Sequence, residues 1–316
     1  MKIVILDRAS LGADTPVDKL RELGELTVYE SSTPEEVLER VCDAEVIIIN
    51  KIKVTKAVFD SARSLKLVCV FATGYDNIDI QAAKEHGVGV CNVPGYSSES
   101  VALFTAAKVA ALYTHLLEYR NFVNSGEYTA SGVPNRLVPV YHELYGKTWG
   151  IVGYGGIGKA VARIAKGLGA RVLVNKRTPV NDAECVDVET LCRESDIITL
   201  HCPLNEGTRG LISKEKISLM KSSVIIVNEA RGAVVVESDI RDAVLEGKIA
   251  GYGCDVYSSE PFSKDHPYND IMKLDNVILT PHAAWGAYEA RERCLNIIIE
   301  NINAFVAGDF LNRVDK

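Results

Sequence analysis

The sequence predicts an α/β protein built from two doubly wound parallel-sheet domains. Short β-branched runs alternate with helix-like segments almost from end to end of the 316 residues. Runs such as Val46–Ile49 are apolar throughout, as expected of strands that are covered on both faces. The alternation stops in a loop-rich stretch at residues 125–145 and then restarts, which indicates a second domain.

In the first part of the chain, apolar runs bounded by turn residues predict five strands: Lys2–Leu6, Leu26–Tyr29, Glu45–Ile49, Leu67–Phe71 and Val88–Cys91. Segments between them have helical periodicity or begin with a capping residue: Val17–Leu23, Pro34–Val41, Thr55–Ala62 and Ile80–Glu85. A long helix without Gly or Pro is then expected from Ser98 to about Asn124.

After the loop-rich stretch, six further strands are expected: Thr148–Val152, Arg171–Val174, Asp196–Leu200, Val224–Val227, Ile249–Cys254 and Val277–Leu279. A helix over Lys159–Leu168 follows the first of these strands. The last segment, Ala287–Ala307, carries apolar residues at helical spacing and predicts an amphipathic helix.

Composition and charge restrict the class of protein and its partners. The hydrophobic share is 47% and the net charge is −7, so no overall positive field attracts nucleic acid or an anionic membrane. The longest apolar stretch, Val101–Tyr113, contains Thr105 and Lys108 and is too short to cross a bilayer. The eight cysteines form no C-x-x-C pair, which favours reduced core cysteines over a metal site or disulfides. With a first strand in place of a signal peptide, we expect a cytoplasmic protein without a metal.

A glycine-rich turn predicts a dinucleotide site. Gly153, Gly155, Gly156, Ile157 and Gly158 belong to a G-x-G-x-x-G run between a strand and a helix. Such glycines allow a tight turn, a close approach of pyrophosphate and close packing of helix on strand. The phosphates are then expected at the amino end of the helix, where the backbone dipole favours negative charge. The alternative is a turn that binds no ligand.

The end of the next strand predicts which dinucleotide is bound. An NAD site usually has an acidic residue there for the ribose 2′-hydroxyl, whereas this chain has Lys176, Arg177 and Thr178. Two cations and a hydroxyl suit a 2′-phosphate, so NADP is favoured and NAD is left open. Ordinary solvated cations at a strand end are the alternative.

The chain resembles the D-2-hydroxyacid dehydrogenase family over essentially its whole length. The resemblance is carried by GYGGIG, by CPL with TRGLI, by NEARG, by DV with EP, and by PHAA, in that order. By resemblance, the arginine of the A-R-G motif, the glutamate of E-P and the histidine of P-H are catalytic. In this sequence they are Arg231, Glu260 and His282. Strand position alone does not choose between His282 and His201, which also ends a strand.

The chemistry of hydride transfer to a ketone independently calls for these residue types. Negative charge develops on the carbonyl oxygen, and histidine titrates nearest to working pH, so His282 suits the acid and base. A neighbouring carboxylate, Glu260, would favour the imidazolium and orient the ring. The guanidinium of Arg231 could hold the substrate carboxylate and polarise the carbonyl.

The resemblance also implies lesser roles. It places Cys202, Pro203 and Asp255 among the cofactor contacts, with Asp255 on the nicotinamide carboxamide. It places Asn50, Thr73, Gly74 and Trp285 at the substrate, although Trp285 could equally be a core aromatic residue. Three positions depart from the family pattern: Glu229, Leu103 and Val236. Glu229 adds negative charge beside Arg231 where a small or neutral residue is usual.

Within the family, the likeness is to glycerate dehydrogenases, also called hydroxypyruvate reductases, with glyoxylate and other small keto acids left open. The family topology implies a flavodoxin-like substrate domain from residues 1–97 and 287–316, with a Rossmann-like dinucleotide-binding domain of residues 98–286 inserted into it. Catalysis would take place in a cleft that closes to exclude water. The Ser98 helix would belong to the interface of a homodimer.

Two other functions are compatible with parts of the sequence. A nucleotide sensor, as in the corepressor branch of the family, would keep the glycine motif and bind protein partners. Oxidation of a non-carbon substrate such as phosphite would require cationic groups beyond those that the sequence shows.

Overall fold

The fold was examined in a computed structural model that describes all 316 residues. The chain divides into two compact units. Unit 1 contains Met1–Ser97 and Gly286–Lys316, and unit 2 contains Ser98–Trp285. The dinucleotide-binding domain was expected to end at residue 286, and unit 2 ends one residue earlier, at Trp285. Each unit has its own sheet and its own core.

Unit 1 has a five-stranded sheet in the order β2-β1-β3-β4-β5, and every strand pair is parallel. The strands are β1 (Lys2–Ile5), β2 (Glu25–Val28), β3 (Val46–Ile49), β4 (Leu67–Val70) and β5 (Gly89–Cys91). Three short helices connect them: α1 (Pro34–Arg40), α2 (Lys56–Ser61) and α3 (Ile80–Glu85). This strand order is that of the flavodoxin-like fold, as expected.

Capping residues begin two of these helices. The Thr33 hydroxyl accepts the amide of Glu36, and the Glu36 carboxylate accepts the amide of Thr33, so the two form a capping box for α1. Asp79 caps α3 by accepting the amide of Ala82. The segment Val17–Glu22 is a 3₁₀ helix, so the α-helix expected there was wrong. This helix follows Pro16 and is six residues long, and 3₁₀ helices are usually short.

Unit 2 has a seven-stranded, fully parallel sheet in the order β12-β11-β10-β9-β6-β7-β8. Its strands are β6 (Thr148–Val152), β7 (Arg171–Asn175), β8 (Glu184–Cys185), β9 (Ile197–Leu200), β10 (Ile225–Asn228), β11 (Gly251–Cys254) and β12 (Val277–Leu279). This is the Rossmann order, with its reversal between β6 and β9. All strands expected from the sequence are present with ends shifted by at most two residues, and β8 is additional.

The helices of unit 2 cover both faces of this sheet. They are α4 (Ser98–Tyr113), α5 (Leu116–Asn124), α6 (Glu127–Ser131), α7 (Gly156–Gly167), α8 (Val188–Glu194), α9 (Lys214–Ile217) and α10 (Glu237–Leu245). Helix α4 packs on α7, β10 and β11. The core on the α4 face includes Trp149, which is fully buried and donates its indole N–H to the Thr199 hydroxyl.

The single helix expected from Ser98 to Asn124 is in fact two helices. His115 has a left-handed backbone (φ 53°), and α4 and α5 meet there at an angle of 64°. A non-glycine residue in this region interrupts the helical hydrogen bonds, which a search for Gly and Pro does not detect. No single helix has the length and apolar composition to span a bilayer, although α4 and α5 taken together meet that length and composition test.

The chain returns to unit 1 with the final helix, α11 (Tyr288–Val306). Helix α11 packs against β4, and Leu295, Ile298 and Ile302 are buried on its inner face. These are the apolar residues whose spacing predicted the helix. The runs of buried residues in β3 and β4 confirm that the sheet of unit 1 is covered on both faces.

Candidate active site

The glycine-rich turn lies at the carboxyl end of β6. Gly153 has a φ of 92°, which L side chains rarely adopt. A Cβ at Gly153 would lie 2.6 Å from the backbone of His201 and Cys202. The turn therefore sits directly against the end of β9, at the reversal of strand order where open α/β sheets bind ligands.

The amino end of α7 offers unpaired backbone donors. The helix begins at Gly156, three residues before the expected start, so Gly158 lies inside its first turn. A Cβ at Gly158 would lie 2.1 Å from the Gly153 carbonyl oxygen, whereas one at Gly155 would meet nothing within 4 Å. The amides of Gly155, Gly156, Ile157 and Gly158 donate to no protein group. Open space beside four free amides suits a phosphate group.

The end of β7 carries the three residues expected to read the ribose. Lys176, Arg177 and Thr178 follow the strand directly and are exposed. Neither Lys176 nor Arg177 forms an ion pair, whereas Lys159 of α7 lies 3.5 Å from Asp182. The positive charges of Lys176 and Arg177 at the end of β7 are therefore not neutralised by an acidic side chain.

Three predicted residues follow the adjacent strands β10, β11 and β12. Arg231, Asp255 and His282 come shortly after the carboxyl ends of these parallel strands, so the sheet brings them to one edge. Arg231 is half-buried and donates an Nη1 hydrogen bond to the Ala230 carbonyl at 2.9 Å. Asn228, the last residue of β10, donates to the Arg231 carbonyl at 3.0 Å and holds its backbone in place.

His282 and Glu260 are in direct contact. The His282 Nδ1 atom lies 2.6 Å from Glu260 Oε2, and both side chains are partly exposed. The other Glu260 oxygen accepts the amide of Tyr257 at 3.0 Å, which orients the carboxylate toward the ring. A carboxylate at Nδ1 stabilises the imidazolium and fixes the ring orientation.

The backbone of His282 is held in a left-handed conformation (φ 52°). Trp285 donates its indole N–H to the His282 carbonyl at 2.8 Å. Asp255 accepts the amides of Ala283 and Ala284 at 3.0 and 2.9 Å, and its Oδ1 also accepts the Thr280 hydroxyl. A non-glycine residue in this region occurs where the surroundings impose it, and here several hydrogen bonds do so.

The loop that carries Glu260 is closely packed against the segment that carries Arg231. A Cβ at Gly232, the residue after Arg231, would lie 2.0 Å from the Tyr257 backbone, so only glycine fits there. The Tyr257 hydroxyl donates to the Thr280 carbonyl at 2.7 Å. Glu237 accepts the amide and the hydroxyl of Ser258. The Arg231, Glu260 and His282 segments therefore contact one another through backbone and loop packing.

The structure also separates the two histidines that end strands. His201 follows β9, and both of its ring nitrogens are buried without a hydrogen-bond partner. Burial lowers the pKa of His201 to about 3, so this ring is neutral near pH 7. No carboxylate lies within hydrogen-bond distance of its ring nitrogens. His282, in contrast, has Glu260 beside its ring, and its catalytic role stays a prediction. Cys202 is buried next to the glycine turn, and Pro203 is exposed after it.

The remaining predicted substrate residues lie in unit 1. Asn50 follows β3 and is buried, and its side-chain amide donates to Ser10. Thr73 and Gly74 follow β4, and the Thr73 hydroxyl donates to the Val93 carbonyl at 2.8 Å. All three lie at the carboxyl edge of the parallel sheet of unit 1, and their contact with a substrate stays a prediction.

The sequence did not predict a buried ion pair beneath the carboxyl edge of the sheet of unit 2. Lys108 of α4 lies 2.7 Å from Glu229, which follows β10, and the side chains are 4% and 1% exposed. The available signals were a lysine in an otherwise apolar helix and a glutamate where a small residue was usual. Neither signal indicates the other, because the two residues are 121 positions apart in the sequence.

Comparisons with known proteins agree with this geometry. A family model described as "D-isomer specific 2-hydroxyacid dehydrogenase, NAD binding domain" matches residues 106–284. The chain is 38% identical over 327 aligned residues to the hydroxypyruvate reductase of Blautia hydrogenotrophica, with all of both chains covered. It is 38% identical over 304 residues to the glyoxylate reductase of Korarchaeum cryptofilum, covering 93% of this chain and 90% of the relative.

Two solved structures share the fold over almost the whole chain. An acyclic imino acid reductase in complex with NADPH and D-Arg is 30% identical, with a TM-score of 0.87 and coverage of 99% of this chain and 100% of that one. A D-lactate dehydrogenase from Aquifex aeolicus, in complex with NAD and lactic acid, is 29% identical with a TM-score of 0.87, covering 100% and 99%.

Proposed function

This chain belongs to the D-isomer specific 2-hydroxyacid dehydrogenase family, and we propose that within it the protein reduces hydroxypyruvate and glyoxylate. Family membership makes it a nicotinamide-dependent oxidoreductase acting on 2-hydroxy acids. The observation that carries the site assignment is the contact of His282 Nδ1 with Glu260 at the strand edge that also carries Arg231. The relatives named above act on two- and three-carbon keto acids, which supports the substrate class.

The proposed mechanism divides the work among the three side chains. The nicotinamide cofactor supplies the hydride that reaches the keto carbon. Arg231 binds the substrate carboxylate and polarises the carbonyl oxygen with its permanent positive charge. His282 donates a proton from Nε2 to that oxygen, which gives the 2-hydroxy acid. Glu260 at Nδ1 stabilises the imidazolium before the transfer and keeps Nε2 aimed at the substrate. Oxidation of the hydroxy acid reverses these steps.

The test is the loss of reduced-nicotinamide absorbance with hydroxypyruvate and, separately, with glyoxylate. We expect turnover with at least one of the two acids. Turnover with larger 2-keto acids alone would overturn the substrate assignment and leave the family activity in place. The other residues predicted for substrate, Asn50, Thr73, Gly74 and Trp285, would affect KM in this assay if they contact the acid.

For the cofactor, we propose NADPH. Gly153, Gly155, Gly156, Ile157 and Gly158 form the phosphate cradle, and the free amides of α7 and the open space at Gly155 support this fit. The unpaired cations at the end of β7 support a 2′-phosphate. The similar imino acid reductase is recorded with NADPH. Cys202, Pro203 and Asp255 stay predicted cofactor contacts.

Replacing the two cations tests the cofactor preference. In Lys176→Asp with Arg177→Ala, the ratio of kcat/KM for NADPH over NADH should fall by at least roughly tenfold, because a hydrogen bond to a charged group is worth about 1.5–3 kcal/mol. Lys166→Ala, an exposed lysine in the last turn of α7, is the matched control and should leave the ratio unchanged. An unchanged ratio in the double variant would show that these cations do not read the phosphate.

We also propose a homodimer, formed through the segment from α5 to Tyr145. Eight apolar side chains of this segment are more than half exposed: Leu116, Val123, Val133, Leu137, Val138, Val140, Tyr141 and Tyr145. Monomeric proteins rarely expose apolar surface in such a concentration. Sedimentation velocity should find a dimer, and Leu137→Asp with Val140→Asp should give monomers. Leu245→Asp, at a leucine of α10 that is also more than half exposed, should stay dimeric. A monomeric wild-type protein would overturn the proposal.

A cytoplasmic location is part of the proposal. All eight cysteines are free thiols, and six of them are buried. Burial raises the pKa of the Cys294 thiol above its ordinary range and the pKa of Cys192 to about 11, so neither is reactive. Inert buried thiols are typical of a reducing compartment.

A further inference from the structure

A buried cluster of three charges lies beneath the strand edge of unit 2. It consists of Lys108 from α4, Glu229 after β10 and Asp255 after β11, and we call it the Lys108 cluster. The Lys108 Nζ atom is 2.7 Å from Glu229 Oε1 and 4.0 Å from Asp255 Oδ1. All three side chains are at most 4% exposed, so their charges interact with little screening by water.

Asp255 links this cluster to the His282 segment. Its Oδ1 accepts the Ala283 amide and the Thr280 hydroxyl, and its Oδ2 accepts the Ala284 amide. These bonds fix the residues immediately after His282 and the residue two before it. Any change in how strongly Lys108 attracts Asp255 Oδ1 therefore acts on the backbone that holds His282.

The cluster holds one cation and two carboxylates. Glu229 Oε1 binds Lys108, but its Oε2 is buried and has no hydrogen-bond partner. Burying an unpaired carboxylate oxygen is costly, so this geometry favours the uptake of a proton. Burial raises the pKa of Glu229 to about 7; Lys108 lowers it and Asp255 raises it further.

Apart from Lys108 and Asp255, the titratable groups on the strands beside Glu229 are neutral near pH 7. Cys254 and Tyr252 lie on the neighbouring strand β11, where burial raises the pKa of Cys254 to about 12 and the pKa of Tyr252 well above its ordinary value. On the other side, β9 ends at His201, and burial lowers its pKa to about 3. From α4, the facing charge is Lys108. Burial thus brings the pKa of Glu229 into the neutral range and moves the pKa values of these neighbours out of it.

We propose that Glu229 and Lys108 are a positioning pair for His282 that acts through Asp255. An ionised Glu229 draws Lys108 to itself and leaves Asp255 Oδ1 for Ala283 and Thr280. A protonated Glu229 releases Lys108 toward Asp255, whose hydrogen bonds to the His282 segment then weaken. The proposal rests on the function proposed above, and it makes the activity depend on a second ionisation besides that of the imidazole.

The first test is the pH profile of kcat for hydroxypyruvate reduction. The wild-type profile should rise near pH 7 as Glu229 ionises, and Glu229→Gln should lose this rising limb. Above that pH, kcat of Glu229→Gln should be lower by roughly ten- to a hundredfold, the effect of a misplaced catalytic group. Glu229→Asp keeps the charge and should retain the rising limb. A rising limb of equal size in Glu229→Gln would overturn the proposal.

The control is Asp196→Asn at the opposite, amino end of the same sheet. Asp196 is also a partly buried carboxylate on a lysine, Lys221 at 2.8 Å, and it accepts the Thr148 amide. Its loss should reduce stability but leave the pH profile of kcat unchanged. A general loss of stability therefore cannot imitate the effect expected for Glu229→Gln.

The second test needs no substrate. Hydrogen exchange of the Ala283 and Ala284 amides, measured above the pKa of Glu229, should be faster in Glu229→Gln than in the wild type. Lys108→Met with Glu229→Gln also removes the cation that would pull on Asp255, so this double variant should protect both amides as well as the wild type does. Exchange in Glu229→Gln as slow as in the wild type would overturn the proposal, and so would faster exchange in the double variant. If the wild type turns over neither hydroxypyruvate nor glyoxylate, the proposed function fails, and the exchange data still decide on the positioning pair.

Discussion

Replacing His282 with alanine is expected to lower kcat for keto-acid reduction by about a hundred- to ten-thousandfold, the range for loss of a general acid. His282 has Glu260 at its Nδ1 atom, whereas the ring nitrogens of His201, the other histidine that ends a strand, have no hydrogen-bond partner. Dinucleotide affinity should be nearly unchanged, because the glycine turn and the cations at β7 lie on other strands of the sheet. Steady-state kinetics and calorimetric titration with NADPH measure the two quantities separately.

The left-handed backbone of His282 requires a second variant. Asparagine tolerates this conformation better than alanine and cannot donate a proton as an acid, so His282→Asn should lose as much activity as His282→Ala. His86→Ala, at the end of α3 in unit 1, is the control and should keep full activity. Activity in either His282 variant close to that of the wild type would refute the proposed mechanism.

The second large effect is expected at Gly158. In Gly158→Ala the new methyl group would lie 2.1 Å from the Gly153 carbonyl oxygen, so α7 must move away from the turn. Such overpacking costs about 1–3 kcal/mol of unfolding free energy. Displacing the amino end of α7 should also weaken NADPH binding by roughly tenfold, since a hydrogen bond to a charged phosphate is lost or lengthened.

The same helix provides the control. Gly167 is exposed at the last position of α7, and a Cβ there meets nothing within 4 Å. Gly167→Ala should raise the unfolding free energy by up to about 1 kcal/mol, because glycine loses more backbone entropy than alanine. NADPH affinity should not change. Denaturant unfolding and fluorescence titration test both variants, and equal affinities for Gly158→Ala and the wild type would contradict the phosphate cradle.

The fold could be predicted from local sequence signals because apolar runs determine which segments become buried parallel strands. Fully apolar runs such as Val46–Ile49 form a parallel strand only when helices cover both faces, so the runs themselves determine the architecture. Helix ends were predicted less well. The break at His115 arises because this residue has a left-handed backbone, which composition does not indicate. Hydrophobic periodicity also does not distinguish the 3₁₀ helix Val17–Glu22 from a short α-helix.

The sequence predicted only part of the candidate site. Arg231 and His282 each follow a strand, and the motifs marked both residues, but neither motif indicates that Glu260 reaches Nδ1 at 2.6 Å. That contact needs the loop packed against Gly232, where even a methyl group would clash with Tyr257. The segment that contains the left-handed His282 is likewise held by hydrogen bonds to Asp255, which follows a different strand and lies 28 positions from Ala283.

The sequence by itself determined the two parallel sheets, the glycine turn and the residue types that end the strands, because each depends on neighbours a few residues away. Only the tertiary structure paired Lys108 with Glu229 and set both beside Asp255, since these residues come from a helix and two strands far apart in the chain. Whether a buried carboxylate keeps its charge depends on the field of all its neighbours, and that field exists only when the chain is folded.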